Sequence, residues 1–258
     1  MLVTLSACVD SVSDQPTPEA AKRFLKLRGY EFTEQAFFKA AADRDVMAVN
    51  GFLSGGINPN AKDENGDTAL TASAARGDVK IVEALLRGGG DINAKGRNNW
   101  TALLLSIEGE HDQVANLLSS PPNIDLKAET PNGMTALMLA VWHQRPELAR
   151  KLLQLRSDPN HQDHDGDAAL HGAAWLGNAR IARMLLEAGA NPDLKNKLGG
   201  TALMWAASYG QSEAVAVLLE KGADPRIKDV DGLTASGWAA KNGRQDLVML
   251  LKNAEKRE

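Results

Sequence analysis

At 258 residues, 43% hydrophobic and 24% charged, the chain has an ordinary globular composition, with ample apolar material for a core and no apolar run near the length of a membrane span. A net charge of -4 without a basic stripe excludes the electrostatic footprint that DNA or RNA demands. The single cysteine, Cys8, excludes an intrachain disulfide.

Leu5-Ser6-Ala7-Cys8 resembles a bacterial lipobox, in which a short apolar stretch and two small residues precede a cysteine that becomes acylated. A polar tether follows, from Val9 to Pro18. No Lys or Arg precedes the box and the apolar stretch is only about seven residues, short of a complete signal peptide. Residues 1-19 are therefore read as a truncated lipoprotein signal and tether, with Cys8 as the expected lipidation residue and sole membrane anchor. A start further upstream implies the periplasm, and Val9 rather than Asp after the cysteine resembles the pattern of outer-membrane lipoproteins. A start at Met1 implies the cytoplasm.

Within 20-34 a capping helix is predicted over Ala20 to Phe32, with Phe24, Leu25 and Leu27 among Lys22, Arg23, Lys26 and Arg28. Its basic face is either simply solvated or touches lipid headgroups. The rest of the chain, 35-258, repeats one phrase every 33 or 34 residues: T-A-L at Thr68, Thr101, Thr135 and Thr201, A-A-L at Ala168 and T-A-S at Thr234. Gln35 to Ala42 falls in register one repeat upstream of Thr68, and Phe37 and Phe38 would cover an exposed end. This predicts an N-terminal cap repeat plus six repeats.

Each unit spells two short helices. The Thr hydroxyl caps the first and small Ala residues allow close approach. A glycine such as Gly210 makes the left-handed stop, and Gly222 closes the second helix after Leu218-Leu219. An Asp, Asn and Gly-rich hairpin then crosses to the next Thr. Asp63-Glu64-Asn65-Gly66-Asp67-Thr68-Ala69-Leu70 and Leu185-Leu186-Glu187-Ala188-Gly189-Ala190-Asn191 are similar to the ankyrin repeat. The resemblance implies an all-α solenoid of stacked helix pairs joined by β-hairpin loops. Ala168 lacks the capping hydroxyl, Leu117-Leu118 comes one residue early, and Gln144 and Arg156 stand where glycines are expected. The two adjacent imperfect repeats, from Thr101 and Thr135, mark a local bend, a partner-shaped loop or drift that the stack tolerates.

No nucleophile, acid-base pair or metal constellation converges, so the chain is read as no enzyme, with no catalytic residue, metal or cofactor. His161 and His164 lack a third ligand at a matched spacing. Asp163-His164-Asp165-Gly166-Asp167 fails as a calcium loop because its glycine is misplaced and Ala174 stands where the bidentate Glu belongs.

In ankyrin proteins the partner is met by hairpin tips and exposed positions of the first helices, and this implies a partner-binding strip. Its expected members are Trp100, Met134, Trp142, His143, Trp175, Leu176 and Tyr209. Acidic tips, Asp163 and Asp165 among them, favour a partner with a basic rim. Trp205 and Trp238 are expected to pack in the core. A lipobox, a tether, a Phe-rich cap and T-A-L-M repeats together resemble the ankyrin lipoproteins that act as immunity proteins to type VI secretion phospholipase effectors. That resemblance implies a noncatalytic binder, a monomer when free, that neutralises an antibacterial lipase toxin. The alternative is a periplasmic or cytosolic adaptor or chaperone for an endogenous enzyme, for example in oxidative-stress defence.

Overall fold

The structure, a computed structural model, describes residues 16-256; Leu5 to Cys8, with the expected lipidation residue, lie outside the described residues. Helix α1 is Pro18–Leu27, not Ala20 to Phe32. Thr17 accepts the Ala20 N–H at 3.3 Å, and Pro18 sits in the first turn, where a missing N–H is no loss. Gly29, at φ 82°, then turns the chain back, so Phe32 leaves the helix and stacks on Phe52 at 5.7 Å.

Seven helix pairs follow: α2 (Glu34–Ala42) with α3 (Val46–Ser54), α4 (Ala69–Ala75) with α5 (Val79–Arg87), α6 (Ala102–Glu108) with α7 (Asp112–Leu118), α8 (Ala136–Trp142) with α9 (Pro146–Gln154), α10 (Ala169–Trp175) with α11 (Ala179–Glu187), α12 (Ala202–Tyr209) with α13 (Ser212–Glu220), and α14 (Ala235–Lys241) with α15 (Gln245–Glu255). First helices pack on first helices in one row, from α2 to α14, and second helices from α3 to α13 form another. Helix α1 packs on α3, the place that the second helix of a preceding repeat would take. Gly51 lets it approach closely, since a Cβ there would sit 3.2 Å from Leu25. The core is one continuous seam along the stack, rich in Ala, Leu, Val and Ile and anchored at its N-terminal end by Phe37 and Phe52.

The threonines do what their position demands. Thr68, Thr101, Thr135, Thr201 and Thr234 each accept the N–H three residues on, at 3.1 to 3.5 Å. Ala168 makes no such bond. Replacing it by Thr, which lies equally buried in the neighbouring repeats, is expected to raise stability by about 1 kcal/mol in urea unfolding.

The crossings between pairs are turns and not regular strands among the described residues. Isolated antiparallel bridges close three of them, Lys62 with Thr68, Lys95 with Thr101 and Glu129 with Thr135. Successive crossings are stitched by a side chain that accepts a backbone N–H of the next: Asn60 from Asp91 at 2.7 Å, Asn93 from Asp125 at 2.8 Å, Asn160 from Asn191 at 2.7 Å and Asp193 from Asp224 at 2.8 Å.

The imperfect repeats keep the same backbone. Gln144 is held at φ 53°, where Gly177 and Gly210 stand at 70° and 75° in regular units, and Arg156 at 71°, where Gly189 and Gly222 stand at 94° and 92°, so packing enforces a left-handed turn without glycine. Shortened α7 is tied off by Lys151 of α9, whose Nζ donates to the Asn116 carbonyl at 2.6 Å and the Ser120 hydroxyl at 2.9 Å.

Candidate functional site

Stacking puts the C-terminal turns of α8, α10 and α12 side by side, and their aromatics meet across the repeats. Trp142 lies parallel to Trp175, with ring centroids 4.8 Å apart and planes within 2°. Tyr209 meets Trp175 edge-on at 5.7 Å and stacks on Trp205 at 6.0 Å. Trp142 and Tyr209 are each 47% exposed, so this ladder is offered to solvent and not sealed in the core. It forms one wall of a groove of about 600 Å³. The rest of the lining is Asn132, the turn residues Asp163, His164, Asp165 and Asp167, and Met134, Met138, Ala168, Ala169, His171 and Gly172.

Gly172 makes the depth. It stands at the helix position that carries Leu139 one repeat earlier and Trp205 one repeat later. A Cβ built there meets only Val141 Cγ1, at 3.8 Å, so the space above it is open.

Of the residues singled out by sequence, the structure brings Met134, Trp142, Trp175, Tyr209, Asp163 and Asp165 together around this groove. It sets the others apart. Trp100 lines a smaller recess with Asp67, Thr71, Arg97 and Leu105. His143, half-buried, turns to Glu108 at 3.2 Å and Glu110 at 3.5 Å. Leu176 is the C-cap of α10 and lies outside the groove lining. Trp205 and Trp238 pack against the core, as expected, but are only partly buried and also line grooves. With no side chain on Gly172, nothing at that position covers the Trp205 ring from the preceding repeat.

A second recess of about 240 Å³ continues past Trp205 and Tyr209 to Asp229 and Trp238. Beside it Leu198 is 68% and Val230 69% exposed, apolar tips that the acidic reading of the hairpins overlooked. The only signal for them is their position in the turn, two residues after Asn196 and one after Asp229.

Not every tip carboxylate is free. Asp63, Asp163 and Asp229 each use Oδ1 to accept the backbone N–H groups two and four residues on, at 2.9 to 3.0 Å, and so hold their own turns. Asn196 does the same at 3.0 and 2.9 Å. The exposed Asp165 side chain carries no such duty. Asp167 accepts from the Asn196 amide at 2.9 Å, yet burial pushes its carboxyl above the usual range.

His171 supplies the reciprocal half of a capping box, although the Ala168 half is missing. Its Nδ1 accepts the Ala168 N–H at 3.0 Å, as Thr71 Oγ1 accepts the Thr68 N–H at 2.9 Å, which leaves Nε2–H to donate to the Gly200 carbonyl at 3.2 Å. Burial lowers its pKa and keeps the ring neutral. The unfolded chain then binds more protons below the ordinary histidine value of about 6.5, so this contribution is complete above that pH and is lost as pH falls beneath it. The melting temperature is expected to drop between about pH 7 and pH 5, and His171→Thr should flatten that segment of the curve.

Among the described residues no group of three or more His, Cys, Asp or Glu is placed to hold a metal ion, and His161 bonds instead to the Gly133 carbonyl at 3.0 Å. A ridge of stacked helix pairs with an uncovered aromatic groove is a repeat-built binding scaffold. The chain belongs to the ankyrin-repeat family: models described as "Ankyrin repeats (3 copies)" match residues 37-130 and 170-257, and one described as "Ankyrin repeats (many copies)" matches 123-173. It is similar to an ankyrin repeat domain from Acinetobacter baumannii AYE, 31% identical with a TM-score of 0.70 over 74% of this chain and 100% of that one. The ankyrin repeat domain of Bcl-3, described as a unique member of the IkappaB protein family, shares the fold at 24% identity and a TM-score of 0.74, over 84% of this chain and 97% of that one. No curated protein matches the chain. Ankyrin repeats mark a protein-protein interaction module, in general a noncatalytic scaffold.

Proposed function

We propose that this chain is an immunity protein that docks its aromatic groove onto an antibacterial lipase effector of type VI secretion and neutralises it in the periplasm, held to the outer membrane by a lipid on Cys8. The observation that carries the binding reading is the ladder of Trp142, Trp175 and Tyr209, exposed beside carboxylates, because large aromatics left in water gain from being covered and dominate binding hot spots. The toxin and the compartment are supported by the resemblance of Leu5-Ser6-Ala7-Cys8 to a lipobox and of the T-A-L-M repeats to ankyrin immunity lipoproteins. Inhibition then follows from the ridge covering the entrance to the lipase active site or holding its lid.

The test is a pull-down from the periplasm and a lipase assay on the captured protein, with and without the chain; a lipase gene next to this one is expected. A stable complex and suppressed hydrolysis are expected. Unchanged lipase activity with no complex ends the immunity reading.

A further inference from the structure

We propose that the groove between α8, α10 and α12 is a socket for an arginine side chain of the protein partner, its guanidinium lying along the indole faces beside the carboxylates of Asp163 and Asp165. The inference rests on the reading of this groove as a protein-docking face, and not on the identity of the lipase.

The charges in the groove are one-sided. Asp163, Asp165 and Asp167 line it, no Lys or Arg does, and none of the three takes part in an ion pair among the described residues. Aromatic faces and uncompensated carboxylates around one hole are the chemistry that holds a cation.

The last repeat shows the arrangement filled. There Lys241 Nζ sits 4.5 Å over the Trp238 ring, whose indole N–H donates to Asp229 at 2.7 Å. Asp229 holds the same repeat position as Asp163, and Lys241 the same position as Trp142 and Trp175. In the last repeat the chain supplies its own cation to an aromatic and a carboxylate. In the central repeat the position of Lys241 is the indole of Trp175 and that of Trp238 is Gly172, so aromatics and carboxylates border an open space that no Lys or Arg of this chain lines.

Trp142 and Trp175 cover each other's facing surfaces, so a cation lies on a ring face outside the pair, where a planar guanidinium does better than a compact ammonium, since it stacks flat and also forks onto carboxylate oxygens. Gly172 supplies the room, with nothing but Val141 Cγ1 within reach of a Cβ.

The test uses the full chain and a short blocked peptide, acetyl-Gly-Arg-Gly-amide, with its citrulline counterpart as the neutral isostere, followed by NMR of the five indole N–H signals. At a peptide concentration of about 10 mM the signals of Trp142, Trp175 and Trp205, assigned with single Trp→Phe variants, should shift and saturate while Trp100 stays still. Citrulline should bind at least roughly tenfold more weakly, and Asp165→Asn should weaken the arginine peptide several-fold. Gly172→Leu fills the hole with a better helix former, so it should keep or raise the melting temperature while abolishing the shifts. Equal response to citrulline, binding of tetramethylammonium in place of the arginine peptide, or undiminished binding by a folded Gly172→Leu variant would overturn the proposal. Failure here leaves the lipase assay free to succeed through apolar contacts, and failure of that assay leaves the peptide titration readable.

Discussion

Phe52→Ala is expected to destabilise the N-terminal end of the stack by about 3 to 5 kcal/mol, the largest effect of any single substitution considered for this chain. Phe52 is fully buried in α3 and gathers three other rings, Tyr30 at 5.9 Å, Phe32 at 5.7 Å and Phe37 at 5.8 Å. Truncation removes its transfer energy and leaves a cavity lined by the rings of α2 and of the loop after α1. In a repeat array each unit leans only on its neighbours, so the damage should stay local. Urea unfolding is expected to split, with α1 to α3 lost early and exchanging their amide hydrogens while α8 to α14 remain protected. A single transition with unchanged midpoint would contradict the assignment of this cluster as the end cap.

Replacing Trp142 and Trp175 together by Ala should separate binding from folding. The pair is a surface stack, and its loss should cost about 1 kcal/mol of stability, the scale of an aromatic pair, beyond the apolar area that each ring covers. Binding should fall by about 2 kcal/mol or more for each ring, at least roughly thirty-fold per residue, if the ladder is the anchor of the partner interface. The measurement is calorimetric titration of the lipase effector into wild type and variant, with thermal melts of both. Retained affinity would remove the groove from the interface, and an unfolded variant would move the indoles into the core.

Much of the fold is legible in the chain because its signals act over a few residues. A Thr hydroxyl reaches the N–H three residues on, and Gly177 and Gly210 adopt the turn that ends a first helix. The apolar spacing of Ile181, Ala182 and Leu185 sets one buried face. Even the departures follow this logic: Ala168 loses a local bond, and the loss can be read before any coordinate is seen. The extent of α1 is harder, since Phe32 looks like a continuation of the apolar pattern, whereas Gly29 turns the chain back before it and its ring packs on Phe52.

The candidate site is legible in part. Trp142 and Trp175 stand at a repeat position that asks for no large residue, which is why they can be singled out. Trp205 stands where a first helix ordinarily faces inward, and its opening toward the groove depends on a glycine 33 residues earlier, Gly172, that carries no functional signature by itself. Asp163 reads as a binding carboxylate, yet one of its oxygens is engaged by two backbone N–H groups of its own turn.

The chain by itself determines the unit and its number, because caps, stops and apolar periods are properties of neighbouring residues. Which side chains share a surface is decided only when the units stack, since residues 33 to 67 positions apart, such as Trp142, Trp175 and Tyr209, become neighbours through the rotation and spacing of one helix pair on the next. The groove, the open space at Gly172 and the absence of Lys and Arg from its lining belong to that packing, and no local pattern encodes them.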